Sequence, residues 1–401
     1  MKIVIAPDSF KESLSALEVA GCIRDGFRQV FPNAEYCLLP LADGGEGTVD
    51  VLMHSLKGMP KCSLVTGPGG AKLDAEWALL DDSKTALIEI AQASGLDKVP
   101  PQDRDPATST SYGTGELIRE ALDCGVEKIV LGLGGSATND GGSGILQALG
   151  GVLLDSTGTP ISRGGAALAA LERIDLSDLH PRCREVEFVV ACDVTNPLCG
   201  ENGASYVFGP QKGAGPAQVT ELESALEHFA DVATGLSGVN HRDSTGFGAA
   251  GGAPLGLSLA FDIRIQPGIE MVLDTVDADA QLEGCSLLIT GEGQIDNQTL
   301  QGKTPFGIAR RAKARGIPVI AISGSLGKEV DELYACMDSF FGTVRSPQPL
   351  SQVLQEAQLN LTRTARNIAS TLLTGHQLLT SQPSLTCHHS HSTQSVLGGE
   401  R

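Results

Sequence analysis

At 401 residues the chain is long enough for two domains with sizeable cores, and its 41% hydrophobic content is that of an ordinary globular protein. A formal net charge of −19 excludes nucleic acid or an anionic membrane as the main partner, because both select basic surfaces. It leaves a small anionic substrate open, since a few fixed cations and backbone N–H groups override a distant acidic surface.

The opening MKIVIAPDSF reads as a strand rather than a signal peptide, and no apolar run reaches transmembrane length. The ten cysteines are scattered without a CxxC pair, which predicts reduced thiols in a cytoplasmic protein. KIVIAPDS, Lys2 to Ser9, is the first predicted strand. Ser15 and Glu18 then form a capping-box signature, and Ala16, Val19, Ala20, Ile23, Phe27 and Val30 recur at helical spacing. A second strand, Cys37 to Gly45, runs into ADGGEGT, after which Val49, Leu52, Met53 and Leu56 form a second helical stripe ending near Gly58. From about Val65 to Leu80, and again from Val152 to Thr159, short alternation with turn residues predicts antiparallel strands. Leu117, Ile118, Ala121 and Leu122 form a third helical stripe that ends at Gly125. Strands are predicted at Lys128, Phe188, Leu287 and Ile317, each leading into a loop rich in Gly or Asp. Continuous β-branched runs bounded by Gly fit parallel strands buried on both faces.

The pattern predicts an α/β fold of two domains. A Rossmann-like parallel-sheet domain is built from residues 1–65 and 285–375, with a second α/β domain, 66–284, inserted in it. Residues 376–401, rich in Ser, Thr and His and without periodicity, read as a mobile tail. Ligands of such folds bind at the carboxyl ends of the strands, where the polar loops lie.

Those loops share a composition. GLGGSA, from Gly132 to Ala137, matches the G-x-G-x-x-A dinucleotide fingerprint, so an NAD-dependent dehydrogenase is one alternative. The following Thr138, Asn139, Asp140, Gly141 and Gly142 favour a metal–phosphate site, because Mg²⁺ takes oxygen ligands. A Walker A loop is excluded. Gly302, Lys303 and Thr304 supply its last three positions, but Asn297 occupies the first. Lys303 is read either as a phosphate contact or as a solvated surface lysine. Asp8, Ser9 and Lys11 follow the first strand, and Asp43, Gly44, Gly45, Glu46 and Gly47 the second. Asp193, Thr195 and Asn196 follow another, and Gly291, Glu292, Gly293 and Asp296 yet another, while GPQKGAG carries Lys212. Phosphoryl transfer needs these types: carboxylates for Mg²⁺ and for positioning a hydroxyl, cations for charge, and Gly-rich backbone for phosphate oxygens. Any one Asp suits a helix cap, but several acid-bearing loops at strand ends suit a phosphotransfer cleft better.

Taken together, APDSFKES, LADGGEGT, LGLGGSATNDGG, CDVTNPLCGENGAS, FGPQKGA and TGEGQIDNQTLQGKTP closely resemble the bacterial glycerate kinase family, from Met1 to about Leu373. The resemblance implies an ATP- and Mg²⁺-dependent kinase acting on D-glycerate, with the active site between two α/β domains. It favours 2-phosphoglycerate as product, with 3-phosphoglycerate the alternative. It implies nothing about the oligomeric state.

Candidate roles follow. Asp8, Ser9, Gly44, Gly45, Glu46, Gly47 and Lys212 are expected to contact substrate. Gly134, Gly135, Ser136, Asn139, Asp140 and Lys303 are expected to contact nucleotide, and Glu292 and Asp296 to hold Mg²⁺. Asp193 is the first candidate for the base, with Lys11 and Asp43 as further catalytic candidates.

Overall fold

The computed structural model describes residues 1–42, 52, 53, 56, 58–80, 83–328 and 330–381. Its strands are β1 (Lys2–Ile5), β2 (Glu35–Leu38), β3 (Met59–Thr66), β4 (Lys72–Leu79), β5 (Thr85–Glu89), β6 (Lys128–Gly132), β7 (Val152–Leu154), β8 (Arg173–Asp175), β9 (Glu187–Ala191) and β10 (Ile263–Gln266). They continue with β11 (Cys285–Thr290), β12 (Gln294–Ile295), β13 (Val319–Ser323), β14 (Ser325–Leu326) and β15 (Ser339–Gly342). A five-stranded sheet runs in the order β15-β13-β11-β1-β2, and every pairing in it is parallel. A six-stranded sheet runs β10-β9-β6-β5-β4-β3. It is parallel from β10 to β5 and antiparallel from β5 to β3. Of the antiparallel pairs β3–β4 and β7–β8, β4 and β7 fall in the two stretches whose alternation predicts them, while β3 lies mostly before the first stretch and β8 beyond the second.

Alternation along the central strands explains how the two sheets share one protein. Ile3 and Ile5 of β1, Leu287 and Ile289 of β11, and Ile320 and Ile322 of β13 pack on one face against helices 16–28 and 357–381. Val4, Leu288, Val319 and Ala321 point the other way. They join a second cluster with Leu87, Val130, Val189 and Ala191 of the six-stranded sheet and with apolar residues of helices 268–275 and 304–314. Both faces of each strand are covered, which is why these strands read as unbroken apolar runs. The outer face of the six-stranded sheet packs on helix 112–123, where Leu117, Ile118, Ala121 and Leu122 are all fully buried.

Local signals hold where they are strongest. Ser15 and Glu18 form the predicted capping box, with Ser15 accepting from the Glu18 N–H and Glu18 accepting from the Ser15 N–H at 2.8 Å. Such a cap contributes about 1 kcal/mol. Gly26 sits where a Cβ would collide with the Thr362 carbonyl, so helix 16–28 crosses helix 357–381 at close range. Of the second predicted helix, Leu52, Met53 and Leu56 are described and are helical, with Leu52 fully buried. The last helix runs to Ser381, past Gly375, because Leu361, Ala365, Ile368 and Ala369 anchor its first half on the sheet.

Candidate active site

Two groups of strand-end loops carry the candidate residues. The first lies at the carboxyl ends of the adjacent strands β6 and β9. Beyond β6 the chain passes through Gly134, Gly135 and Ser136, and beyond β9 through Cys192 and Asp193. The turn Pro210–Lys212 faces them and directs Lys212 inward. A cavity of about 420 Å³ opens between these three segments, the scale of a small-molecule site.

Lys212 is 2% exposed. Its Nζ donates to Ser136 Oγ at 3.0 Å and to the Thr138 carbonyl at 2.7 Å. Burial pulls its pKa down from 10.5 to about 7, against an upward push from the Asp140 carboxylate. Both direct partners are neutral, so the charged amine has lost water without gaining an ion pair. The Thr138 carbonyl is held in place by a second loop. Gly251, at φ +66°, packs directly on it, and a Cβ there would collide with the carbonyl oxygen.

Asp193 lines the cavity and is exposed. Its Oδ1 accepts from the backbone N–H of Gly268 at 2.8 Å, at the start of helix 268–275. That bond fixes the carboxylate from behind and leaves it facing the cavity. Asn139 and Asp140 do not reach the cavity, and both are fully buried beneath it. The Asn139 amide donates to Ser205 Oγ at 3.1 Å. Asp140 accepts from Ser111 N and Oγ, both at 2.8 Å, from Gly142 N at 3.1 Å and from Gly144 N at 3.3 Å. Burial pushes its carboxyl up, and these donors oppose that shift. The N-terminus of helix 143–148 is therefore already occupied by the chain's own Asp140 carboxyl group. In a dinucleotide fold that position receives a pyrophosphate.

The second group lies at the carboxyl ends of β1 and β11, on either side of which the strand order departs in opposite directions. This is a topological switch point, the usual place for a ligand crevice. The Asp8 N–H donates to the Gly291 carbonyl at 2.8 Å and ties the two loops together. Gly291 itself touches the Ile322 carbonyl so closely that no Cβ fits, which lets the chain turn and aim Glu292 inward. Asp8 accepts from Ser9 N at 2.6 Å and, through Oδ2, from Thr304 Oγ1 at 2.5 Å. Glu292 is buried, accepts from Thr299 Oγ1 at 2.6 Å, and pairs with Lys303 at 3.4 Å. Burial raises its pKa, hydrogen bonding and Lys303 lower it, and the nearby Asp8 charge raises it further. Asp296 accepts from Gln294 at 2.9 Å. Lys11 is exposed, with its backbone beside Gly293. Asp43, Gly44, Gly45, Glu46 and Gly47 lie outside the described residues.

Two helices link the groups. Helix 268–275, which begins at the Asp193 contact, packs on helix 304–314, which begins at the Asp8 contact. Arg311 ties them by pairing with Glu270 at 2.5 Å and Asp274 at 2.7 Å, and Gly307 leaves just enough room for Ile269. Sequence reasoning did not single out Thr304 as an Asp8 partner, nor Leu96, Phe208, Ala249 and Ala250 as cavity walls. The run GAAGGAP at 248–254 was the available signal. Ala250 there adopts φ +50°, an unusual conformation for a residue with a Cβ.

Parallel α/β sheets with anion-compatible loops gathered at adjacent strand ends define an enzyme of the phosphate-handling α/β class. The profile of the glycerate kinase family matches residues 3–373. Glycerate kinase of Haemophilus influenzae is 52% identical over 374 residues, covering 93% of this chain and 99% of that protein. Glycerate 2-kinase of Escherichia coli is 48% identical over 376 residues, covering 94% and 99%. The crystal structure of a candidate glycerate kinase 2 from Salmonella typhimurium LT2 superposes with a TM-score of 0.86 at 50% identity, covering 94% of this chain and 99% of that one.

The chain belongs to the glycerate kinase family. It is accordingly a phosphotransferase acting on glycerate, and the dehydrogenase alternative falls away.

Proposed function

We propose that the protein transfers the γ-phosphoryl group of ATP to D-glycerate and releases 2-phosphoglycerate, working in the cytoplasm in a cleft between two α/β units. The division into units is 1–65 with 285–375 against 66–284. Among the described residues no helix is long and apolar enough to cross a membrane. The observation that carries the phosphoryl-transfer reading is the cavity at the ends of β6 and β9, which lies within the 66–284 unit and would form one wall of that cleft. There Gly-rich backbone, a buried lysine and an aspartate held from behind converge on one space.

In this reading the Gly134–Ser136 backbone meets nucleotide phosphates, and Lys212 supplies positive charge where oxyanion charge accumulates. Asn139 and Asp140 serve the nucleotide by fixing that loop from below. Asp193 accepts the proton of the attacking hydroxyl as base, and its bond from Gly268 orients it for that task. Asp8, Ser9 and Lys11, with Asp43 and the Gly44, Gly45, Glu46 and Gly47 loop, hold glycerate and exclude water from the opposite side.

Glu292 and Asp296 fit Mg²⁺. They are hard oxygen donors, and the Asp8 charge near buried Glu292 leaves a concentration of negative charge that a divalent cation would relieve. Among the described residues no three His, Cys, Asp or Glu converge into a closed cage. Mg²⁺ is typically held by one or two carboxylates with water and phosphate completing its shell. When bound, it neutralises charge on the β- and γ-phosphates. Lys303, paired with Glu292, would serve the same phosphates.

Assignment to the 2-hydroxyl rests on the Escherichia coli relative's name. Phosphorus NMR of the product formed from D-glycerate and Mg·ATP tests it. The 2-phosphate resonance is expected, and a 3-phosphate resonance overturns the assignment.

A further inference from the structure

Lys212 poses an energetic problem that the reaction can use. Its amine is 2% exposed, yet it forms part of the wall of an open cavity of about 420 Å³. Its two acceptors, Ser136 Oγ and the Thr138 carbonyl, are neutral. An ammonium has three N–H donors, so two bonds leave one in hand for the cavity. Among the described residues no carboxylate forms an ion pair with it. Desolvating an ammonium without a counter-charge is costly, and such a group commonly sheds its proton instead.

The charged groups around it reinforce this. Asp140 in the loop beneath is committed to Ser111, Gly142 and Gly144. Asp193 across the cavity is held by Gly268. The Cys192 thiol is kept protonated by its burial. Arg104, whose buried Nε has no hydrogen-bond partner among the described residues, packs its backbone and Cβ on the neighbouring Gly213 and is itself a cation. None of these supplies a direct counter-ion.

We propose that Lys212 is a proton-gated oxyanion receptor: a largely neutral amine in the empty cavity at mildly alkaline pH, it takes up a proton when an anionic ligand enters and then pairs with it. The proposal rests on the reading of this cavity as the site of an anionic ligand. The shared chemistry is an oxyanion, whether the carboxylate of glycerate or a phosphate of the nucleotide. Burial places the free amine's pKa at about 7. Pairing with an anion in the same buried setting raises it. Binding and proton uptake are thereby linked, so affinity weakens as pH rises above 7, by up to about tenfold per pH unit.

The test is proton counting by calorimetry on the full chain, in buffers of low and high ionisation enthalpy, at pH 6 and pH 8. D-glycerate and the magnesium complex of a non-hydrolysable ATP analogue are titrated separately. One of the two is expected to bind with uptake of roughly 0.9 proton at pH 8 and roughly 0.1 at pH 6, from the free value of about 7. The ligand that shows the uptake is the one Lys212 receives. In Lys212→Met the uptake at pH 8 disappears, and in Lys212→Arg, whose charge is permanent, it disappears as well. Binding of both ligands without proton uptake at pH 8 overturns the Lys212 proposal and leaves the cavity reading standing. Uptake undiminished in both folded variants does the same. Failure of both ligands to bind the wild-type protein overturns the cavity reading itself and this proposal with it.

Discussion

The Asp193 carboxylate accepts a 2.8 Å hydrogen bond from the backbone N–H of Gly268. That bond joins the loop after β9 to the first residue of helix 268–275, in the layer between the two sheets. It ties the carboxylate to the start of that helix and so restricts its orientation. Asp193→Asn keeps an oxygen that can accept the same bond, so the melting temperature should stay unchanged. Turnover should fall by about a hundredfold or more if Asp193 takes the hydroxyl proton. A loss under about tenfold removes it as the base.

Glu292 concentrates negative charge with Asp8 at the switch point of the five-stranded sheet. Glu292→Gln removes one oxygen donor with full charge and keeps the side-chain shape. The Mg²⁺ concentration for half-maximal activity should rise by about tenfold or more, as weakened ligation commonly does. An unchanged Mg²⁺ requirement places the ion elsewhere.

Lys212 also sets a pH dependence of stability in the unliganded protein. Its folded pKa is lowered to about 7 from 10.5. Below pH 7 the amine is charged in both states and the folded state carries the full burial cost. Between pH 7 and 10.5 the unfolded chain binds the extra proton, so stability rises with pH, by at most about 1.4 kcal/mol per unit. Lys212→Met should lack this contribution. Urea unfolding of both proteins at pH 7 and pH 9 measures the difference in slope.

Gly251 supports the carbonyl that Lys212 uses. Gly251→Ala adds a Cβ at φ +66° directly against the Thr138 carbonyl. The cost should exceed about 1 kcal/mol, read as a lower urea midpoint. KM for the ligand received by Lys212 should rise with it.

Arg311 ties helix 304–314 to helix 268–275, and its side chain is only 17% exposed. Arg311→Met should destabilise the protein by about 1–2 kcal/mol. Arg315, whose side chain is 38% exposed in its pair with Asp279, should cost less than about 0.5 kcal/mol when changed to Met. Equal effects of the two substitutions exclude Arg311 as the tie between these helices.

The chain's local signals were legible because they act over a few residues. The Ser15–Glu18 capping box, the stripe at Leu117 to Leu122, and the apolar runs at Lys128 and Phe188 each declare a helix or a strand through spacing and side-chain shape alone. The types needed for phosphoryl transfer were legible too, since carboxylates, lysines and glycines crowd the strand ends. Their division of labour was not. Asn139 and Asp140 look as exposed as Ser136 in the sequence, yet they turn inward and fill the loop's own hydrogen-bond needs. Lys212 reads as a substrate contact in the sequence, but its burial and neutral partners come only with the fold. Thr304 gains meaning only when it meets Asp8, which is remote in the sequence.

The sequence by itself determined that this is an α/β protein with acid- and glycine-bearing loops at its strand ends, and its motifs pointed to the right family. Tertiary structure alone decided which of those residues line the cavity and which are buried beneath it. Burial, the pairing of charges and the direction of a side chain arise from segments distant in the chain, and no local pattern encodes them. Lys212 shows the reason most plainly: its chemistry is set by the water it has lost and by the counter-charge it has not gained.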